Sequence, residues 1–189
     1  LSTTITIVST LLGLCIKAFF ELKKSQRRVL FLEEQSKINQ LMRSCISKTH
    51  IDRFLILKLH NGANELINGV YKRYLATAIN EEHRDIHVSV RELYQNIPVD
   101  DDYKKIVLKS YQKKFYEFVT DKEPPSDLKE IYEREGIQYA LIYFIHSQGG
   151  ILYFCSLSSY DSIEVTKEEL HIIDNTIARI RESYIKYYT

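Results

Sequence analysis

The sequence predicts an α+β fold: an antiparallel sheet with the N- and C-terminal helices packed on one face, preceded by a hydrophobic N-terminal helix. Three stretches carry that expectation. "GIQYALIYFIHSQGGILYFCSLSS" holds two long apolar runs on either side of a Gly-containing turn, which reads as a β-hairpin. "RFLILKLHNG" is a β-rich run stopped by Asn61-Gly62, and both residues of such a pair tolerate positive φ. In "VTKEELHIIDNTIARIRESYIKYY" the residues Leu170, Ile173, Ile177, Ile180 and Tyr184 recur every three or four positions, giving one apolar helical face.

Residues 1–22 carry no charge before Lys17. A bilayer-spanning helix needs roughly 20 apolar residues, and Lys17 can snorkel from near one end. The expected membrane anchor is built on Ile5, Val8, Leu11, Leu12, Leu14 and Phe19. Ser2, Thr3, Thr6, Ser9 and Thr10 offer small surfaces for helix association within it. The alternatives are a buried strand over "TITIV" leading into a core helix, or a cleaved signal peptide, for which no small-x-small site follows. "KKSQRR" comes next, and by the positive-inside rule it prefers the cytoplasmic face.

Residues 23–48 continue as a connecting amphipathic helix, with Phe31, Ile38 and Cys45 seven apart. It pairs with a second copy as a short coiled coil or packs on its own domain. Residues 49–189 form the main domain. "RFLILKLH" reads as a central strand and "VYKRYLATAIN" as its antiparallel partner, with a loop framed by Asn61-Gly62 and Asn68-Gly69 between them. "RDIHVSVREL" is a third strand or a loop. "DDDYKKIVLKSYQKK" is a helix with Asp at its start and Lys toward its end, matching the macrodipole. "KFYEFVTD" is a short strand. "PPSDLKEIYEREG" is a helix capped by Ser126 or Asp127 and stopped by Gly136; Asp127 and Glu130 have capping-box spacing. Both faces of the hairpin strands are apolar, which places them in the middle of the sheet. Thr166 and Glu169 form a capping box at the last helix, and Val165 staples onto Leu170.

Composition narrows the function. The 189 residues are 44% hydrophobic and 27% charged with a net charge of +1, so no basic surplus points to nucleic acid. Cys15, Cys45 and Cys155 are odd in number and widely spaced, which supports neither a disulfide framework nor a zinc site. His83 and His87 lie four apart in "EEHRDIH" without an HExxH pattern or an apparent third ligand. There is no P-loop, GxGxxG or Ser-His-Asp order, so no enzyme, metal or cofactor is expected.

The order of elements resembles the GAF domain over about residues 29–188. "YEREGIQYALIYFIHSQGGILYFCSL" followed by "VTKEELHIIDNTIARI" carries the resemblance. It implies that the sheet face away from the terminal helices is roofed by the middle of the chain. Ligand-pocket candidates there are His60, Asn61, Gly62, Tyr74 and Tyr143, beside "YLATA" and one face of the hairpin. The NKxxxFxxxDE motif of cyclic-nucleotide-binding GAF domains is missing. "HNG" after a first strand is similar to phage-encoded GAF-like proteins. The anchor, "NIPVDDDYKK" and "FYEFVTD" more weakly resemble T-type phage holins. Those holins carry a periplasmic soluble domain, whereas "KKSQRR" argues for the cytoplasm.

The expected function is a non-enzymatic, membrane-anchored, phage-encoded GAF-like binding protein whose partner is another protein or a second copy. The alternatives are a holin that permeabilises the inner membrane, a small-ligand sensor, or a virion-associated structural subunit.

Overall fold

The computed structural model describes residues 2–60, 74–84 and 89–188, and the side chains of residues 17, 19–23, 25, 29–60, 74–84 and 89–186. Helix α1 is Ser2–Ser47, followed by strands β1 (Arg53–His60), β2 (Leu75–His83) and β3 (Ile97–Pro98). Helix α2 (Asp101–Lys113), strand β4 (Tyr116–Val119) and helix α3 (Asp127–Glu135) come next. The hairpin is β5 (Tyr139–Gln148) and β6 (Ile151–Ser159), and α4 (Lys167–Tyr188) ends the chain.

The six strands form one sheet in the order β3-β2-β1-β6-β5-β4, every pair antiparallel. β1 and β6 occupy its centre, as their unbroken apolar runs require. Gly149 and Gly150 turn the hairpin at φ values of 57° and 79°, a left-handed conformation that glycine adopts without a Cβ penalty. Local punctuation sets the helices. Ser126 Oγ accepts from Lys129 N–H at 3.1 Å, so Ser126 caps α3. Gly136 closes that helix in the αL conformation. At α4 the capping box is reciprocal: Glu169 N–H donates to Thr166 Oγ1 at 3.2 Å, and Thr166 N–H donates to Glu169 Oε2 at 3.0 Å.

The chain divides into two compact units, Leu1–Lys37 and Ile38–Thr189. In the first, Phe19, Phe20, Leu22, Val29, Leu30, Phe31 and Leu32 are exposed, and Lys23 Nζ lies 4.7 Å from the centroid of the Phe19 ring. The backbone at the expected anchor positions is helical, but the side chains of Ile5, Val8, Leu11, Leu12 and Leu14 lie outside the described residues. Among the described residues no helix is long and apolar enough to cross a membrane; the described side chains begin at Lys17, and Glu21 and Lys23 follow at once.

In the second unit the sheet carries a core on each face. On one face Ile38, Met42, Cys45 and Ile46 of α1 join Ile173, Ile177, Ile180 and Tyr184 of α4 over Phe54, Ile56, Leu141, Tyr143, Cys155 and Leu157. The spacing of the α4 residues thus buries the face it predicts. On the other face α2, α3 and the segment from Val90 to Val99 roof Leu55, Leu57, Leu59, Ala76, Ala78, Ala140, Ile142 and Phe154. Burial of each large side chain stabilises by roughly 1.5–3 kcal/mol before chain entropy is subtracted.

Candidate functional site

Strand alternation decides which expected pocket residues meet. In β1 the odd positions Leu55, Leu57 and Leu59 face the roof, so His60 points to the opposite face. There His60 Nε2 lies 3.0 Å from Thr77 Oγ1. Thr77 Oγ1 donates to Asn96 Oδ1 at 3.2 Å and accepts from Asn96 N–H at 3.1 Å. With the threonine proton already given away, the bond from His60 requires its Nε2–H tautomer. Partial burial, helped by the Lys58 charge, lowers the His60 pKa and favours that neutral form. Asn96 sits at φ 58°, where asparagine is tolerated. The trio therefore fastens the residue before the two-residue edge strand β3 to β2.

Tyr74 is on the roofed side, partly buried against that core. Its carbonyl accepts from Val99 N–H at 2.9 Å, and Lys104 Nζ stands 4.8 Å from its ring centroid. Tyr143 is not on the roofed side, contrary to expectation. It is fully buried beneath the terminal helices, its hydroxyl donating to Asp174 Oδ1 at 3.2 Å. Burial foremost, then the Asp174 charge, raises its pKa. β5 is apolar on both faces, so composition cannot say which face is roofed. Asn61 and Gly62 lie outside the described residues, as does His87. His83 Nδ1 is 2.9 Å from the carbonyl of Arg84, and among the described residues no cluster of His, Cys, Asp and Glu is placed to hold a metal ion.

The roofed face instead carries a polar centre built on Arg53. Arg53 shares the parity of Leu55 and is only 3% exposed. Its Nη1 donates to Glu135 Oε2 of α3 at 2.7 Å, its Nη2 donates to the Tyr160 hydroxyl, and its Nε lies 3.8 Å from Glu81 Oε1 of β2. Glu81 accepts in turn from Ser89 Oγ at 2.5 Å, Val90 N–H at 3.0 Å and Arg91 N–H at 2.9 Å. Beside this centre Tyr132 and Ser156 share a hydroxyl bond of 2.6 Å. The Tyr94 hydroxyl is buried beside Glu135, and among the described residues Arg53 Nε and Glu135 Oε1 have no hydrogen bond of normal geometry. Desolvation foremost, with the Tyr132 and Glu135 charges adding, pushes the Tyr94 pKa far up, so this phenol stays protonated.

The neighbouring residue anchors the other side of the strand start. Asp52 accepts from Arg84 Nε at 2.9 Å and Ser159 Oγ at 2.8 Å. Arg84 also donates to the Ile46 carbonyl at 3.1 Å and to the Thr49 carbonyl, satisfying backbone left over at the end of α1. Outside the core, Ile97, Pro98, Asp127, Glu130, Ile131 and Arg134 line an open groove of about 260 Å³ between β3 and α3.

With this geometry, comparison with known proteins gives a consistent class. Solved structures similar to the chain are GAF domains. A phycoerythrobilin-bound GAF domain from a cyanobacterial phytochrome is 14% identical, with 86% of this chain and 91% of that one covered at a TM-score of 0.60. A GAF domain/HD domain protein from Geobacter sulfurreducens is 11% identical over 82% and 93%, at 0.55. The GAF domain of a two-component sensor histidine kinase from Bacillus halodurans is 13% identical over 78% and 92%, at 0.52. The fold is therefore GAF-like. No family model matches the sequence, and no curated protein matches it.

Proposed function

We propose that this chain is a non-enzymatic binding and interaction protein, a GAF-like domain held at a membrane by residues 1–22, with the domain in the cytoplasm. The observation that carries the reading is the apolar surface of α1: Phe20, Leu22 and Leu32 are each 64–67% exposed. Side chains of that size along one helix call for a lipid or protein cover. The uncharged run before Lys17 and the basic "KKSQRR" after it fit an anchor with its basic flank at the cytoplasmic leaflet. A C-terminal reporter fusion expressed in bacteria tests the reading. A cytoplasmic reporter, retained in membranes after carbonate washing of healthy cells, is expected. A periplasmic reporter with collapse of the membrane potential would replace it with the holin reading.

The groove between β3 and α3 supports a second reading, a small-ligand sensor. Its mixed lining of Asp127, Glu130 and Arg134 over Ile97 and Ile131 suits a small polar molecule with an apolar part. Ligand screening by melting temperature separates it from a purely protein-binding domain, with Arg134→Ala abolishing any shift produced at the groove.

A further inference from the structure

The groove between β3 and α3 holds charges that the fold does not use. At about 100° per residue, Asp127, Glu130, Ile131 and Arg134 share one stripe of α3, and all of them line the groove with Ile97 and Pro98. Glu130 precedes Arg134 by four positions, the order that favours an ion pair across one helical turn. Among the described residues the side chains of Asp127, Glu130 and Arg134 nevertheless form no hydrogen bond or ion pair. The charges on neighbouring positions are already in use. One carboxylate oxygen of Asp100 accepts from Tyr103 N–H at 2.6 Å and the other from Asp127 N–H at 2.8 Å. Lys104 pairs with Asp101 at 2.8 Å. Lys129 Nζ donates to the Glu123 carbonyl at 2.8 Å and lies 3.7 Å from Glu133 Oε1. The groove thus presents two carboxylates and one guanidinium over an apolar floor, and its neighbours supply no counter-ion.

We infer that this groove binds a free α-amino acid with an apolar side chain. Arg134 meets the carboxylate, Glu130 with Asp127 meets the ammonium, and the side chain lies on Ile97 and Ile131. The inference rests on the small-ligand reading above and assigns its ligand. In an α-amino acid one carbon joins the two charged groups, so the ammonium nitrogen and the carboxyl carbon stand about 2.5 Å apart. Glu130 and Arg134 are separated by a rise of about 6 Å along α3. A compact zwitterion with a charge-assisted hydrogen bond of about 2.8 Å at each end bridges that pair. The groove volume of about 260 Å³ falls below the roughly 300–1,000 Å³ of sites for drug-sized ligands, as a molecule this small requires. A ligand with a single charge would meet only one sign of the charge presented.

L-Leucine is the probe, titrated into the full-length protein in a non-ionic detergent and followed by saturation-transfer difference NMR. Two fragments accompany it: 4-methylpentanoate, which lacks the ammonium, and isopentylamine, which lacks the carboxylate. The expected result is saturable leucine binding about tenfold or more tighter than that of either fragment, the usual effect of losing a hydrogen bond to a charged group. Glu130→Gln weakens leucine about tenfold and does not weaken 4-methylpentanoate. Arg134→Gln weakens leucine by a similar factor and does not weaken isopentylamine. Glu133→Gln, off the stripe on the same helix, leaves all three unchanged. Either fragment binding as tightly as leucine, or a leucine affinity unmoved by both substitutions in the groove, overturns the inference. No leucine signal, alongside a melting-temperature shift from another compound that Arg134→Ala abolishes, overturns the amino-acid assignment and keeps the ligand groove. No compound acting through Arg134 overturns both.

Discussion

Arg53→Met is the sharpest test of the polar centre under the roof. Methionine keeps much of the buried apolar stem but removes the guanidinium, and the two carboxylates around it respond differently. Glu81 keeps its three donors from Ser89, Val90 and Arg91, so its loss is small. Glu135 loses the 2.7 Å charge-assisted bond to Oε2, and the neighbouring Tyr94 phenol, which stays protonated, brings no charge to replace the guanidinium. Stranding one member of a buried pair costs about 3–5 kcal/mol. The Glu135 side chain keeps 10% exposure, which puts the expectation at the lower end, about 3 kcal/mol. At roughly 2–4 °C per kcal/mol for a domain of this size, the melting temperature falls by about 6–12 °C. Adding Glu135→Leu removes the stranded charge and should recover about 2 kcal/mol, so the double variant is more stable than Arg53→Met alone. The assay is urea unfolding of the full chain in detergent, followed by circular dichroism. A loss below about 0.5 kcal/mol for Arg53→Met, or a double variant weaker than the single one, would refute the reasoning.

Two further outcomes follow from buried titratable groups. Burial works against ionisation of Glu169, but donors from Thr166 and His50 outweigh it and hold the carboxyl at about 2, against an ordinary 4.5. A folded pKa below the unfolded one means stability fully present above pH ~4.5 and lost as pH falls toward 2. Glu169→Gln should therefore cost about 2 kcal/mol at pH 7, after allowance for solvent at the helix end, and flatten the acid limb of a stability-against-pH curve; an unchanged acid limb would sink the assignment. Burial pushes the Cys45 thiol up to about 11 and Cys155 higher still. In a Cys15→Ser background, a thiol reagent at pH 8 should label neither cysteine in the native chain and both in denaturant. Stoichiometric native labelling would show that the terminal-helix core opens.

The features legible in the sequence are the local ones. Thr166 reaches Glu169 and Ser126 reaches Lys129 within one helical turn, so spacing alone states the bond. Gly136 and the glycines of the hairpin announce their turns because few other residues adopt those φ values. Two apolar runs without alternation announce central strands for the same local reason. Edge strand β3 escapes notice because it is two residues long and contains Pro98, and the residue before it is fastened by a histidine and a threonine from other strands.

The polar centre was harder to read because its partners are remote: Glu135 lies 82 positions from Arg53 and Tyr160 lies 107. One signal was nevertheless present. Arg53 has the same parity as Leu55, Leu57 and Leu59, so a strand starting at Arg53 puts a guanidinium on an apolar face, where it must find carboxylates. The same parity separates His60 from Tyr74. A pocket using both would need side chains from opposite faces of the sheet, and the sheet itself lies between them. A ligand on the roofed side is therefore met without His60. The ring of His60 already has a task in holding β2 to the edge of the sheet.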